Sequence, residues 1–212
     1  MAVYDLEEQE KLDDLKAWWD TYGRYVSAGL VAVALIMVGI QGWRWYNQKL
    51  AGEASVLYLA GSQGVRNSDP AKVKDAALEL ESKYARTGYA PRAALLYAKS
   101  AFDAGDKATA KAQLTWVIDS NADEELKTIA RFRLAEALLD EKQFDEALKM
   151  LDAKHADSFD GIYLDLKGDI LAAAGKAPEA RTAYQAALAK LDAKSPYRNL
   201  VQVKLDSLGG AQ

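Results

Sequence analysis

The stretch LKTIARFRLAEALLDEKQFDEALKMLD, residues 126–152, decides the fold class of this chain. Small and apolar residues recur in it at helical spacing, and the polar triplet at 141–143 interrupts the pattern as a turn would. Ala135 before the turn and Ala147 after it lie twelve positions apart. Small side chains at these two positions allow the backbones of two helices to approach closely where they cross. The stretch therefore predicts one antiparallel helical hairpin.

Two further segments repeat this pattern. Ala98 and Ala110 flank a turn at 104–106, and Gly168 and Ala180 flank a turn at 174–176. The intervals between the three units are close to the ~34 residues of a tetratricopeptide repeat, in which each unit is a helix, a turn and a helix. Because alanine and leucine are abundant and prolines are few, the pattern predicts an all-α, tetratricopeptide-like solenoid of helical hairpins.

Helices are also predicted at both ends of the three repeats. Upstream, segments 53–67 and 71–84 flank the breaker Ser68-Asp69-Pro70 and predict a degenerate first hairpin. Downstream, Ser195-Pro196 begins a last helix, which we expect to cap the exposed end of the solenoid. The apolar face of this capping helix is predicted to comprise Tyr197, Leu200, Val201, Leu205 and Leu208.

A transmembrane helix is predicted at residues 25–43. The segment YVSAGLVAVALIMVGIQGW carries no charge, and at 1.5 Å per residue it would cover about 28 Å, close to the ~30 Å of a hydrocarbon core. Aromatic side chains of the kind that favour lipid headgroups flank both ends: Trp18, Trp19, Tyr22 and Tyr25 on one side, Trp43, Trp45 and Tyr46 on the other. A cleaved signal peptide would need a basic start and small residues at its end, and a buried core helix would not need aromatic belts.

The span divides the chain into four predicted segments: an acidic tail at 1–24, the transmembrane helix at 25–43, a juxtamembrane linker at 44–52 and the tetratricopeptide-like domain at 53–212. The tail is interpreted as a solvated segment that becomes helical only close to the membrane, with a cytoplasmic docking motif as the alternative.

The basic residues next to the span predict its orientation. Three of them precede it (Lys11, Lys16 and Arg24) and two follow it closely (Arg44 and Lys49). Because cytoplasmic flanks carry the excess of basic residues, the N-terminus is expected in the cytoplasm. The helical domain would then lie on the other side of the membrane.

The composition argues against several classes of function. The chain has no cysteine and a single histidine, His155, so a thiol nucleophile, a histidine-based catalytic triad and a multi-histidine metal site are excluded within one chain. His155 is expected to be an exposed residue of a loop between repeats. Basic residues are scattered rather than clustered as nucleic-acid binding requires, and no glycine-rich phosphate motif occurs. We therefore expect no enzyme activity, cofactor, metal ion or nucleic-acid partner.

Solenoids of this kind bind partners on the concave surface that the first helices of successive hairpins form. The repeat register assigns eight candidate partner-binding residues to this surface: Arg92, Leu95, Lys99, Phe102, Phe132, Glu136, Asp165 and Asp169. Ile129, Leu139 and Ile162 fall on the same surface. The two phenylalanines could anchor an extended or helical peptide, or they could instead fill the interior of the superhelix or contact the capping helix.

Three stretches stand out along the chain: GWRWYNQ at 42–48, the stretch at 126–152 and DLKGDILAAAGKAPEARTAYQAAL at 165–188. In these stretches, and over the chain as a whole, there is a resemblance to the YfgM-like ancillary subunits of the bacterial Sec (SecYEG) translocon. It implies a single-pass protein of the bacterial inner membrane with a cytoplasmic N-terminus and a periplasmic domain. It also implies two partners, the Sec translocon and a membrane-anchored, isomerase-like periplasmic chaperone, and it implies no catalytic residues.

Two functions are open at this stage. The first is an adaptor or chaperone-like interaction module that meets periplasmic proteins as they emerge from the channel, with client polypeptides as additional partners. The second is a structural tetratricopeptide scaffold that tethers another inner-membrane or envelope complex without contacting clients. Binding of unfolded polypeptide to the helical domain would distinguish them.

Overall fold

The computed structural model describes residues 3–209 of the chain, with side chains from residue 10 onward. The regular structure in this range is helical, which confirms the predicted fold class. The helices are α1 (Val3–Arg66), α2 (Pro70–Lys83), α3 (Tyr89–Asp103), α4 (Lys107–Asp119), α5 (Glu124–Asp140), α6 (Phe144–Leu151), α7 (Asp160–Ala173), α8 (Ala177–Lys190) and α9 (Tyr197–Ser207). A one-turn 3-10 helix, Asp157–Phe159, leads directly into α7.

The chain divides into two compact units, Met1–Leu50 and Ala51–Gln212. In the first unit, α1 begins at Val3 and includes both the acidic tail and the residues of the juxtamembrane linker. The tail is therefore helical along most of its length, rather than only next to the predicted span. One ion pair at helical spacing, between Lys16 and Asp13 at 3.1 Å, lies on its surface.

The apolar side chains of the predicted span lie on the outside of α1. Five of the largest are each more than half exposed: Leu30, Val31, Leu35, Ile36 and Val38. Among the helices described, α1 is the one long and apolar enough to cross a membrane, with a mean hydropathy of 1.9 over its most apolar window. Exposure of this much contiguous apolar surface suits lipid rather than water.

The second unit consists of four helical hairpins and the capping helix α9. The C-terminal part of α1 pairs with α2, and a Cβ added to Gly61 on α1 would lie 3.1 Å from the Cβ of Ala76 on α2. The hairpins α3–α4, α5–α6 and α7–α8 follow, as the three repeats predict. Their buried side chains form apolar cores that run from α3 to α7 and from α7 to α9.

All four hairpins use the same turn. One residue in each has a positive φ: Ser68 at 54°, Gly105 at 81°, Lys142 at 60° and Gly175 at 76°. The residue after it donates its N–H to a carbonyl five positions earlier, as in the bond from Asp106 to Ala101 at 2.8 Å. This Schellman arrangement satisfies carbonyls at the end of the first helix and reverses the chain.

Small residues lie where the paired helices cross, as the sequence predicts. Ala98 with Ala110 and Ala135 with Ala147 are buried at their crossings, with at most 3% of each side chain exposed. In the third repeat, Gly168 leaves room for the ring of Tyr184, because a Cβ at Gly168 would lie 2.4 Å from that ring. The third crossing therefore combines a glycine on α7 with an aromatic side chain on α8.

Candidate partner-binding groove

The first helices of the second and third hairpins, α3 and α5, form the floor and walls of a groove. On α3 the buried alanines face the second helices, and Leu95, Lys99 and Phe102 at i, i+4 and i+7 share the adjacent face. On α5, Ile129 and Glu136 lie seven residues apart and therefore share one face. Since the two faces meet, the helices bring these five side chains together.

These five side chains line one cavity of about 310 Å³. Ala98, Ala110 and Leu114 complete its apolar part. Phe102 remains 41% exposed, which is unusual for so large an apolar side chain in a packed domain. The cavity therefore offers an accessible apolar surface at the place where the repeat register predicts partner contacts.

The charged groups at the rim of this cavity are balanced within each helix. On α3, the Lys99 ammonium lies 2.6 Å from the Asp103 carboxylate, and on α5 the Arg133 guanidinium lies 2.8 Å from Glu136. Sequence reasoning missed Asp103 and Arg133 as rim residues. Their spacings to Lys99 and Glu136, four and three residues, were the available signal.

Arg92 does not line the cavity. It lies near the start of α3, where its guanidinium donates a hydrogen bond to the carbonyl of Gly88. A second, weaker contact of 4.0 Å joins it to Asp123 before α5. The observed contacts of Arg92 are therefore made within the chain.

Phe132 lies against the core instead of lining the cavity. It is half-buried, and its ring centroid lies 5.8 Å from that of Tyr163 on α7. Tyr163 is itself buried and donates a 2.8 Å hydrogen bond to the carbonyl of Thr128, and burial raises the pKa of Tyr163 to about 12. Of the two interpretations of Phe132, these contacts favour packing between repeats.

Asp165 and Asp169, predicted on the open surface, are instead contacted by the capping helix. Lys204 on α9 places its ammonium 2.9 and 3.0 Å from the two oxygens of Asp165 and 2.7 Å from Asp169. Asp165 also accepts a 2.5 Å hydrogen bond from the Tyr197 hydroxyl, and Asp169 accepts one of 2.8 Å from Tyr184. Asp165 is only 1% exposed, so the expectation that it lies open to a partner is corrected.

The ionisation states of this cluster follow from its burial and its charges. Burial, followed by the hydrogen bond and negative charge of Asp165, raises the pKa of Tyr197 above its usual range. The pKa of Tyr184 is raised for the same reasons. Here Asp169 is the carboxylate that accepts the hydrogen bond and contributes most of the negative charge. Burial lowers the pKa of Lys204, but hydrogen bonds to Asp169 and Asp165 outweigh it and the net shift is upward. At neutral pH the two phenols are therefore neutral and the ammonium is charged.

The buried face of α9 differs in one residue from the prediction. Val201 is fully buried, and Tyr197, Leu205 and Leu208 pack against the same core, but Leu200 is 50% exposed. The stripe at 197, 201, 204, 205 and 208 follows the helical period, and Leu200 lies beside it. Lys204 belongs to this stripe because its ammonium pairs with carboxylates under the helix.

His155 also differs from its expectation. It lies in the loop before α7 but is partly buried, and its ring centroid lies 4.1 Å from that of Tyr163. Its Nδ1 is 3.6 Å from Asp160. Among the residues that the structure describes, no three histidine or acidic side chains come close enough together to hold a metal ion.

Comparison with known proteins supports both the fold and the resemblance. A family model described as a tetratricopeptide repeat-like domain matches residues 16–210. A protein of Neisseria gonorrhoeae named ancillary SecYEG translocon subunit is 34% identical over 98% of this chain and 100% of its own length. The Escherichia coli protein of the same name is 29% identical over 98% of this chain and 99% of its own length.

One solved structure shares the fold. The MamA RS-1 ArsTM double mutant has a TM-score of 0.51, with 74% of this chain and 88% of that chain covered. Its sequence identity is 18%, so the similarity concerns the fold alone.

Proposed function

Because the chain belongs to the family of ancillary SecYEG translocon subunits, we propose that it is anchored in the bacterial inner membrane beside the Sec channel. There its helical domain acts as an adaptor or chaperone-like module for periplasmic proteins that emerge from the channel. The proposal includes a cytoplasmic N-terminus and a periplasmic domain. It also includes a membrane-anchored, isomerase-like periplasmic chaperone as a second partner.

The observation that carries the adaptor role is the open cavity between α3 and α5. It has an apolar floor and an exposed aromatic side chain, Phe102, and the charges on its rim are balanced. A surface of this kind can accept apolar side chains of many different polypeptides, since it demands no particular charge. A scaffold that never meets clients would have no need to keep Phe102 accessible.

Photo-crosslinking in native membranes tests this role. A photoreactive residue at position 102 should crosslink to a nascent periplasmic protein arrested in the Sec channel. Leu78 provides a matched control, because it is equally exposed at 41% and lies on α2 outside the cavity. A photoreactive residue at position 78 should give little or no crosslink to the same nascent chain.

The alternative function, a scaffold for another envelope complex, makes a different prediction for the same experiment. Position 102 would then crosslink to folded membrane-protein subunits and not to the nascent chain. That result, or equal crosslinking from positions 78 and 102, would reject the adaptor role.

The orientation has its own test. An enzyme that functions only in the periplasm, fused after Gln212, should be active if the domain lies there. An inactive fusion, together with a C-terminal tag that reagents reach only from the cytoplasm, would reject the proposed orientation.

A further inference from the structure

We propose that the binding groove continues across α3 into a second cavity, and that its ligand is an uncharged polypeptide segment with one apolar side chain for each cavity. This inference rests on the proposed function, because it specifies the kind of segment that the adaptor surface binds. It adds residues of α1 and α2 to the site.

The second cavity lies beside the first, on the adjacent face of α3. Its volume is about 260 Å³, and its apolar lining includes Val65 at the end of α1, Val73 on α2 and Leu96 on α3. Lys99 and Asp103 line both cavities. The two cavities are therefore adjacent and are separated by the ridge that these two side chains form on α3.

Exposed apolar side chains point to the same pair of cavities. In the described part of the helical unit, exposed large apolar side chains include Val65 at 40% and Phe102 at 41%, together with Leu78 on α2 and others near the two ends of the unit (Val56, Leu59, Leu200 and Val203) that line neither cavity. Val65 lines the second cavity and Phe102 lines the first. Each cavity thus holds one accessible apolar side chain that a ligand could cover.

The ridge between the cavities determines the charge of the ligand. The Lys99 ammonium and the Asp103 carboxylate are 2.6 Å apart, so each already neutralises the other. A charged residue above the ridge would have to compete with this exposed ion pair, which is a small cost, and would also lose hydration. A neutral segment avoids both costs, and its peptide N–H and C=O groups can still bond to the carboxylate and the ammonium.

The ridge also limits the spacing of the two apolar side chains. A ligand has to cross this single row of side chains to place one apolar group in each cavity. An extended peptide advances about 3.3 Å per residue and its side chains alternate between two faces, so a spacer of one or three residues places two side chains on the same face, roughly 7–13 Å apart. Segments with this spacing are expected in the unfolded state of most globular proteins.

The experiment uses the full chain in lipid nanodiscs and fluorescently labelled synthetic peptides. The peptides contain serine, glycine and asparagine with no leucine, one leucine, or two leucines separated by one, two or three residues. Binding is measured by fluorescence anisotropy, with empty nanodiscs as the blank. The best two-leucine peptide should bind at least tenfold more tightly than the one-leucine peptide.

Three substitutions locate the binding. Val65→Ser and Phe102→Ser should each reduce the affinity for the two-leucine peptide by about tenfold, to the level of the one-leucine peptide. Leu78→Ser, at a position of equal exposure outside both cavities, should leave the affinity unchanged. Circular dichroism of each variant should show the helix content of the parent chain.

Several outcomes would overturn the inference. If Val65→Ser has no effect while Phe102→Ser weakens binding, the second cavity is not part of the site, although the adaptor role stands. Equal affinity for peptides with one and two leucines, or no binding of any peptide, also rejects it; the crosslinking at position 102 then still decides the adaptor role separately. A glutamate or lysine placed in the spacer should weaken binding, and an unchanged or higher affinity would contradict the neutral ridge.

Discussion

The predicted partner-binding surface, which the first helices of the hairpins form, has one open part and one closed part. At α3, Lys99 and Asp103 form an exposed ion pair between two cavities. At α7, Asp165 and Asp169 occupy the positions of Leu95 and Lys99 in the third repeat, but they accept hydrogen bonds from the capping helix α9. The same position in a repeat is therefore a candidate binding residue in one place and a structural residue in the other.

The element that follows in the chain explains this difference. The hairpin α3–α4 is followed by α5, whose side chains leave a cavity between themselves and α3. The hairpin α7–α8 is followed by α9, which brings Tyr197 and Lys204 onto the carboxylates of α7. A buried carboxylate needs such partners, because an unpaired charge in the interior is costly.

The largest expected effect on stability is that of removing α9. Deleting residues 195–212 from the full chain should lower the free energy of unfolding of the helical domain by about 3–5 kcal/mol, because the core that contains Val201 is uncovered and Asp165 loses its ammonium partner. Urea denaturation followed by circular dichroism measures this. As a control on the same helix, the exposed Leu200 can be changed to Ala, which should cost less than about 0.5 kcal/mol. Unchanged denaturation after the deletion would remove the capping role.

Substituting each of the two phenylalanines should show which one stabilises the domain by packing and which one is exposed. Phe132→Ala should destabilise the domain by about 2–4 kcal/mol, less than for a fully buried phenylalanine, because Phe132 is half-buried against Tyr163. Phe102→Ala should cost less, about 1–2 kcal/mol, since 41% of the Phe102 side chain is exposed. Chemical denaturation of both variants gives the comparison. Equal losses would mean that the two side chains play the same role.

The lysine ammonium groups at the closed and open parts should also contribute differently to the free energy of unfolding. Lys204→Ala leaves Asp165 and Asp169 without their shared partner and should cost about 2 kcal/mol, given that Lys204 is itself partly exposed. Lys99→Ala removes an exposed pair and should change the free energy of unfolding by less than about 0.5 kcal/mol. A Lys99→Ala effect as large as that of Lys204→Ala would show that the pair on α3 is structural as well.

Substitutions in the hairpin turns should have the same effect on stability in the open and closed parts. Gly105 and Gly175 both have a positive φ in the same Schellman turn, so replacing either with alanine should cost about 1 kcal/mol. Conversely, Lys142→Gly should stabilise the chain by up to about 1 kcal/mol, because Lys142 adopts this conformation without being a glycine. Thermal denaturation of the three variants measures these changes in stability. A marked difference between the two glycine variants would show that the turns are not equivalent.

Much of this architecture could be predicted from the sequence. Small residues at the helix crossings, such as Ala98 with Ala110, and the turn glycines fixed the hairpins, because close packing and positive φ each restrict the residue type strongly. Leu95, Lys99, Phe102, Ile129 and Glu136, which the register assigns to one surface, line one cavity in the structure. Whether partners bind them stays a prediction.

The remaining differences arise from tertiary contacts that periodicity does not encode. The sequence pattern showed Asp165 and Asp169 on the first helix of a repeat, but not that Lys204 would cover them from a helix 39 and 35 residues away. Likewise, Phe132 shares a helix face with candidate groove residues, but its ring packs against Tyr163 of the next hairpin. Register predicts which side a residue faces; what then covers it depends on the next element.

Carboxylate labelling of the full chain tests the contrast between the open and closed parts most directly. A water-soluble carbodiimide is applied in nanodiscs, with and without the two-leucine peptide, and modification is read at each residue by mass spectrometry. Asp103 and Glu136 should react readily and become protected when the peptide is present, whereas Asp165 should stay unmodified in both conditions. Rapid modification of Asp165 in the folded chain, or reaction at Asp103 that the peptide leaves unchanged, would contradict this contrast.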